Sequence, residues 1–385
     1  MVRGYARRAR QVPWRGRRRP VRAPDGTASR GPAGYSAQVS ARPHVLLVAA
    51  VAGVALAAIA TPRAQGPRPF LEQLLTGTLG FTTSQLTALR RGDAVTAPLP
   101  GSVDRELVMA GAIRIQAPVD RTVAIVRDIE RFESGARFLA RKRLSEPPRL
   151  EDFGRFHLTA DDVAALRRCR PGRCDIKLDQ GVFPAVSALD WTGADAPERA
   201  SALLRRRALD HVEAYRQRGR HAAFVYHDRQ RPVVATHEFA DMVTRSTALG
   251  TLAGDLMDVL LHYPGGRPPD ADEIFYWSVS DLGLKPVFRV HHVVIRQLAP
   301  AANLRYVMAT RLLYADHYFN SGLDVRALID DPAPGGAHIL VTLSLARLDG
   351  ITGLLGRVAR IKVRAASRDA LATAMRATRD RAEGR

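Results

Sequence analysis

Cysteine is nearly missing: the 385-residue chain has two, both in the stretch RRCRPGRCDIKL, Arg167 to Leu178. Two thiols leave any cysteine-based metal site short of two ligands. Their spacing is neither C-x-x-C nor C-x-x-C-H, which excludes thioredoxin-type chemistry and haem attachment as readings. Lysine is almost as rare, with only Lys142, Lys177, Lys285 and Lys362. The glycine pairs in GGRPPD and GGAH lack the lysine of a phosphate-binding loop, and neither HExxH nor G-x-S-x-G occurs. The strands are not spaced by regular crossover helices, so a dinucleotide fold has no support either.

Acidic residues are outnumbered, 38 against 58 lysines and arginines, for a net charge of +20. The excess is uneven. Residues 1–44 hold eleven arginines and one acid, Asp25, so half of the charge lies in a short leader. What remains is spread thinly over the rest of the chain and forms no basic stripe, which argues against nucleic acid as a partner. Residues 45–60 are sixteen uncharged apolar residues, short of the roughly twenty of a membrane span. Ala58-Ile59-Ala60 follows the pattern of a cleavage site, with Ala64 as a second candidate. The expectation is a basic leader and signal peptide over 1–64, with translation starting downstream near Val39 and a periplasmic or secreted product. An inner-membrane anchor at 45–60 is the alternative.

Residues 65–104 read as linker, apart from a short helix in PFLEQLLTGTLGF. ELVMAGAIRIQAP (Glu106 to Pro118) reads as a strand, and Val119, Val123, Val126 and Ile129 keep helical spacing after it. Residues 141–221 read as a mainly helical insertion. Thr159 caps one helix with Asp162 three positions on, and another runs from Asp195 to Gly219 with Leu204, Ala208, Val212 and Tyr215 in one stripe. Arg205-Arg206-Arg207 reads as a solvated face of that helix. Further helix is expected over 237–264, with Phe239, Val243, Leu252, Leu256 and Val259 inside. The last third turns β-branched and aromatic: four or five antiparallel strands, with a reversal near Ala315–Gly322. A long closing helix follows, striped by Ile351, Leu354, Val358, Ile361, Ala365, Ala372 and Met375.

GAIRIQAPVDRTVAIVRDIERF, with Ala117-Pro118 leading into a helix, resembles the opening of the START-like, or helix-grip (SRPBCC), superfamily. LDGITGLLGRVARIKVRAASRDALATAMRATRDRAE resembles its closing helix. The likeness covers 106–140 and 222–385, and the insertion departs from it. It implies an α+β domain over 105–385 in which an antiparallel sheet grips the C-terminal helix around a cavity for a hydrophobic or lipid-like ligand. The insertion would then cap the cavity or fill it. The superfamily offers no common catalytic motif to carry over, and no cofactor is implied.

On RYVMATRLLY, Arg305 and Arg311 suggest an outward face and Tyr306, Met308, Thr310, Leu312 and Tyr314 an inward one. Tyr276, Trp277, Phe288 and His292 join them as candidate lining residues, and the same set also fits a plain core. His291-His292 and Asp316-His317 fall on neighbouring strands. His292, His317 and Asp316 are therefore candidates for an acid/base pair or a metal set, although strand neighbours point to opposite faces. Structural, half-buried histidines fit the same pattern. Three functions are carried forward: an exported binding protein for a hydrophobic molecule or lipid with transient membrane contact, an enzyme of cyclase or hydrolase type, and an envelope protein with a filled core. Pro171-Gly172 suits a type II turn that would bring Cys169 and Cys174 within disulfide reach, with two unpaired thiols as the alternative.

Overall fold

The computed structural model describes residues 70–385, except 133–136, 267, 269, 284, 299–302, 334 and 350–352 and the side chains of 353–359. The leader, signal-peptide and anchor readings for 1–64 lie outside the described residues. Among those described, no helix is long and apolar enough to cross a membrane.

The segment expected as a linker carries structure. Helix α1 (Phe70–Glu72) continues as a π-helical turn, Gln73–Thr78, and is followed by α2 (Thr83–Arg90) and strand β1 (Val95–Leu99). Leu74, Leu75, Leu79, Phe81 and Leu89 are buried there, and Thr82 and Gln85 form a reciprocal capping box on α2. The Pro, Gly and Thr content of this stretch hid a short apolar repeat.

Strand β2 (Glu106–Ile115) and helices α3 (Val119–Arg127) and α4 (Ile129–Phe132) lead to β3 (Phe138–Arg143). The insertion supplies α5 (Ala160–Arg168), α6 (Phe183–Ala188) and α7 (Ala196–Arg218), then the small hairpin β4 (Val225–Tyr226) and β5 (Val233–Val234). Helices α8 (Ala235–Arg245) and α9 (Thr247–His262) precede the meander β6 (Ala271–Ser280), β7 (Val287–Gln297), β8 (Leu304–Ala315), β9 (Phe319–Asp330) and β10 (His338–Leu348). Helix α10 (Gly353–Glu383) closes the chain. The sheet has eight strands in the order β1-β2-β10-β9-β8-β7-β6-β3, and every pairing is antiparallel. An antiparallel sheet packed on a C-terminal helix is the α+β class expected, and it is compatible with a helix-grip arrangement.

Both faces of the sheet are covered, by different elements. On one lie α1, α2, α8 and α9, with Val108, Val325, Val341 and Leu343 beneath them, and the insertion extends this cover over Phe275, Trp277, Phe288 and Val290. On the other lie α3 and α10, over Ile113, Ile115, Met308, Leu328 and Leu340. The insertion therefore fills the face away from α10. Gly111 sets how closely α10 approaches: a Cβ there would stand 2.7 Å from Met375 Cε. Ala372, Met375 and Ala382 are buried on this side. The expected helix stripe does not continue toward the N-terminus, because Ile361 is 69% exposed and Ala365 is exposed as well. Ile351, Leu354 and Val358 lie outside the described side chains.

The cysteines form a disulfide, with Cα atoms 4.5 Å apart. The bridge closes the turn at the end of α5, and the backbone is clipped further by Gly172 N–H donating to His227 O and Cys174 N–H donating to Asp228 O. A loop this short contributes about 2 kcal/mol in the entropy model.

Candidate functional site

The residues singled out from sequence separate onto the two faces. Trp277, Phe288, His292 and Tyr314 lie under the insertion, whereas Tyr276, Tyr306, Met308 and Thr310 lie on the α10 face. Adjacent residues were bound to diverge, but Tyr314 was expected to follow Tyr306, Met308 and Thr310. The β7–β8 register shifts between Val290 and His291, so that Val290 pairs with Tyr314 and His291 with Leu312. This bulge leaves Leu313 unpaired and carries Tyr314 to the opposite face. Arg311, expected outward, is buried and donates to Leu260 O at 2.7 Å, because α9 covers its face. Arg205 is likewise buried, donating to Phe156 O and pairing with Glu198.

Under the insertion the candidates are tightly packed. Trp277 Nε1 donates to Asp152 O at 2.8 Å, Phe288 stacks on Phe156 with centroids 4.0 Å apart, and Tyr314 donates to Lys177 O at 2.9 Å. His292, fully buried, sits in a string of polar groups that sequence reasoning missed. Arg311 Nη1 approaches Tyr215 Oη at 3.5 Å, and Tyr215 lies 3.0 Å from His292 Nδ1. His292 Nε2 lies 2.8 Å from Glu273 Oε1, and Tyr263 is hydrogen-bonded to Glu273 as well. Arginine can only donate and a carboxylate only accept, which fixes the intervening protons. Tyr215 donates to Nδ1, which leaves the ring proton on Nε2, within ion-pair range of Glu273. Burial pushes the Tyr215 hydroxyl up to about 12, so it stays a donor. Such a carboxylate–imidazole–phenol string is a competent proton relay. Here its central members, His292 and Tyr215, are 0% and 1% exposed, and the string ties α7 to the sheet. Its outer end, Tyr263, lines a surface cleft of about 380 Å³ with Arg218, Arg220, His221 and His262.

Asp316 and His317 do not join His292. They lie in the β8–β9 turn, where they hold the segment after the disulfide. Lys177 N–H donates to Asp316 O, His317 Nδ1 donates to Asp175 O, and Lys177 Nζ reaches Asn320 at 2.8 Å and pairs with Asp349. His317 Nε2 faces Asp162 at 3.2 Å. Burial lowers the pKa of the His317 ring, but Asp162 and Asp316 outweigh it and hold it above the usual imidazole value. Burial pushes Asp316 up to about 7, against the opposing charge of His317.

Both groups therefore hold protons more tightly folded than unfolded, and the stability they contribute falls as pH rises through their folded values. The buried His211, His291 and His338 have lowered pKa values and act in the opposite sense, until their unfolded imidazoles have lost their protons about one unit above pH ~6.5. The stability advantage of the unaltered chain over a His317→Gln, Asp316→Asn double variant should therefore shrink as pH rises above ~6.5, as read from their thermal midpoints. A variant that keeps the wild-type slope would refute this assignment.

The α10 face holds a different arrangement. The His291 ring stacks on Tyr276, its cross-strand partner, with centroids 4.6 Å apart. The imidazole is 5% exposed, and neither of its nitrogens has a hydrogen-bond partner among the described residues. Burial, then the positive charges of Arg289 and Arg326, hold its pKa well below the usual value, so it carries one donor and one acceptor. Ser278, 0% exposed on the adjacent strand, likewise has an unpartnered hydroxyl. Thr310, Leu312, Asp324 and Arg326 complete this stretch of the face. Native proteins rarely leave such groups unpaired, each costing about 1–3 kcal/mol. Sequence pattern singled out the HisHis pair but not which member is orphaned, because that depends on what covers each face.

Among the described residues no group of three or more His, Cys, Asp or Glu side chains gathers as a metal set. Comparison with protein-family models, with curated proteins and with solved structures finds no match to this chain.

Proposed function

We propose that the protein is an exported, START-like binding module that holds a small hydrophobic or lipid-like ligand on the α10 face of its sheet, over His291. The observation that carries this reading is the contrast between the two faces. One is packed by helices and the insertion, and its deep candidates are engaged by named protein partners. The other has, at its centre, a buried imidazole and a buried hydroxyl that lack protein partners, flanked by Met308, Leu312 and Tyr276. An apolar body with one or two polar atoms satisfies both requirements of such a surface. Export is supported by the disulfide, which suits an oxidising compartment.

The enzyme alternative has a specific observation behind it, the Glu273–His292–Tyr215 string, with Glu273 rather than Asp316 as the carboxylate. Its imidazole is sealed from solvent, and this weighs toward binding rather than turnover. His291 and His292 are neighbours in sequence on opposite faces of one sheet. Selective histidine labelling therefore distinguishes a ligand on the α10 face from one acting at the string.

A further inference from the structure

We propose that the cleft at the outer end of the His292 string binds the phosphate group of a small phosphomonoester, received by Arg218 and Arg220. The site is separate from the face over His291 and does not rest on the binding reading above. Its volume of about 380 Å³ lies in the lower range of pockets that hold small organic molecules, and exceeds what a bare phosphate fills. Arg218, Arg220, His221, His262 and Tyr263 line it together with Pro264, and among the described residues no acid does. Gly219, at φ 54°, makes the sharp turn that sets Arg218 and Arg220 on either side of it. A Cβ there would stand 1.5 Å from Tyr263 O, so the turn lies directly against the end of α9. That contact brings His262 and Tyr263 to the two arginines although they are distant in sequence.

Charge pairing sets these two arginines apart. The five other arginines of α7 each have a carboxylate partner: Arg199 with Asp195, Arg205 with Glu198, Arg206 with Asp210, Arg207 with Asp179 and Arg216 with Glu146. Arg218 and Arg220 are exposed and have none within 4.0 Å among the described residues. The C-terminal ends of α7 and α9 set about half a negative charge each against them. Two guanidinium charges exceed that sum, so the cleft stays positive. His262 Nδ1 donates to Asp258 O at 3.0 Å, which leaves Nε2 without a partner among the described residues. Polar groups from the end of α7, from the turn after it and from the end of α9 thus meet in one space. They are more than the two oxygens of a carboxylate can engage. A phosphomonoester presents three acceptor oxygens and close to two negative charges at neutral pH. Guanidinium forks match that group in geometry as well as charge. The Tyr263 hydroxyl is already engaged by Glu273, so its ring and Pro264 are left to contact the organic part.

The test is titration of the intact chain, labelled selectively at histidine, with phenyl phosphate in about 0.15 M salt. The rings of His221 and His262, assigned by single substitution, should shift saturably with a Kd of about 1 mM or tighter. Benzoate and inorganic phosphate should each bind at least about tenfold more weakly. An Arg218→Gln, Arg220→Gln double variant should lose at least about tenfold in affinity for phenyl phosphate and keep the thermal midpoint, since both side chains are exposed. Benzoate binding as tightly as phenyl phosphate would overturn the phosphate assignment, and inorganic phosphate binding as tightly would overturn the ester. Rings of His221 and His262 that hold still would overturn the site and leave the reading of the α10 face standing. Should the double variant not fold, the comparison of the three anions on the unaltered chain decides the matter alone.

Discussion

Replacing Arg347 by methionine should cost about 3–5 kcal/mol of stability, a large part of what holds an ordinary domain folded. Arg347 is 2% exposed, and its guanidinium is divided between β2 and α8. Nε donates to Glu106 of β2 at 3.0 Å, Nη1 to Glu238 at 3.1 Å and Nη2 to Asp241 at 2.7 Å, both on α8. Glu106 is itself only 3% exposed. Methionine fills much of the space but leaves that carboxylate buried, with only Ser102 and no cation beside it. The penalty comes from the stranded charge, not from the lost contact. Urea unfolding measures it directly. An Arg245→Ala control, which breaks an exposed pair with Asp241 on the same helix, should change stability by less than about 0.5 kcal/mol. A loss below about 1 kcal/mol for Arg347→Met would mean that Glu106 finds another partner or takes up a proton.

A comparable loss, about 4 kcal/mol or more, is expected for Gly219→Ala. Gly219 ends α7 with φ 54° and ψ −126°, a combination open almost only to glycine. A Cβ there would stand 1.5 Å from the carbonyl oxygen of Tyr263, so α7 and the end of α9 would be forced apart. Those two elements carry Tyr215 and Tyr263, whose rings stack at 4.7 Å over the His292 string. The strain thus falls on the junction that seals His292. Thermal unfolding and near-ultraviolet circular dichroism should both register the change. A variant with the wild-type midpoint and aromatic spectrum would show that this helix end is misplaced.

What the sequence made legible was local. Thr159 accepts from the backbone of Asp162 and caps α5, as its spacing predicts, and Pro197 and Gly219 bracket α7. The reversal near Ala315–Gly322 falls at Asp316–Tyr318, between β8 and β9. The cysteine turn closes because Pro-Gly allows it. What stayed hidden depends on distant partners. Strands β7 to β10 are buried on both faces, so alternation fades and side-chain direction is not readable from pattern. One bulge at Leu313 was enough to reverse the reading for Tyr314. Arg205 and Arg311 look like surface residues until the helices that bury them are in place. Tyr215 and Lys177 gained their roles from residues 70 or more positions away. The candidate site shows the same limit: His291 and His292 are equivalent in sequence, and only the choice of face by the insertion separates an engaged imidazole from an unengaged one.

That separation provides the most direct test of ligand binding on the α10 face. Protein labelled selectively at histidine, with the rings of His291 and His292 assigned by single substitution, is titrated with cis-parinaric acid and with its methyl ester. The ring resonances of His291 should shift on saturation while those of His292 hold still. An unmoved His291 at saturating ligand, or a shift confined to His292, would contradict the account.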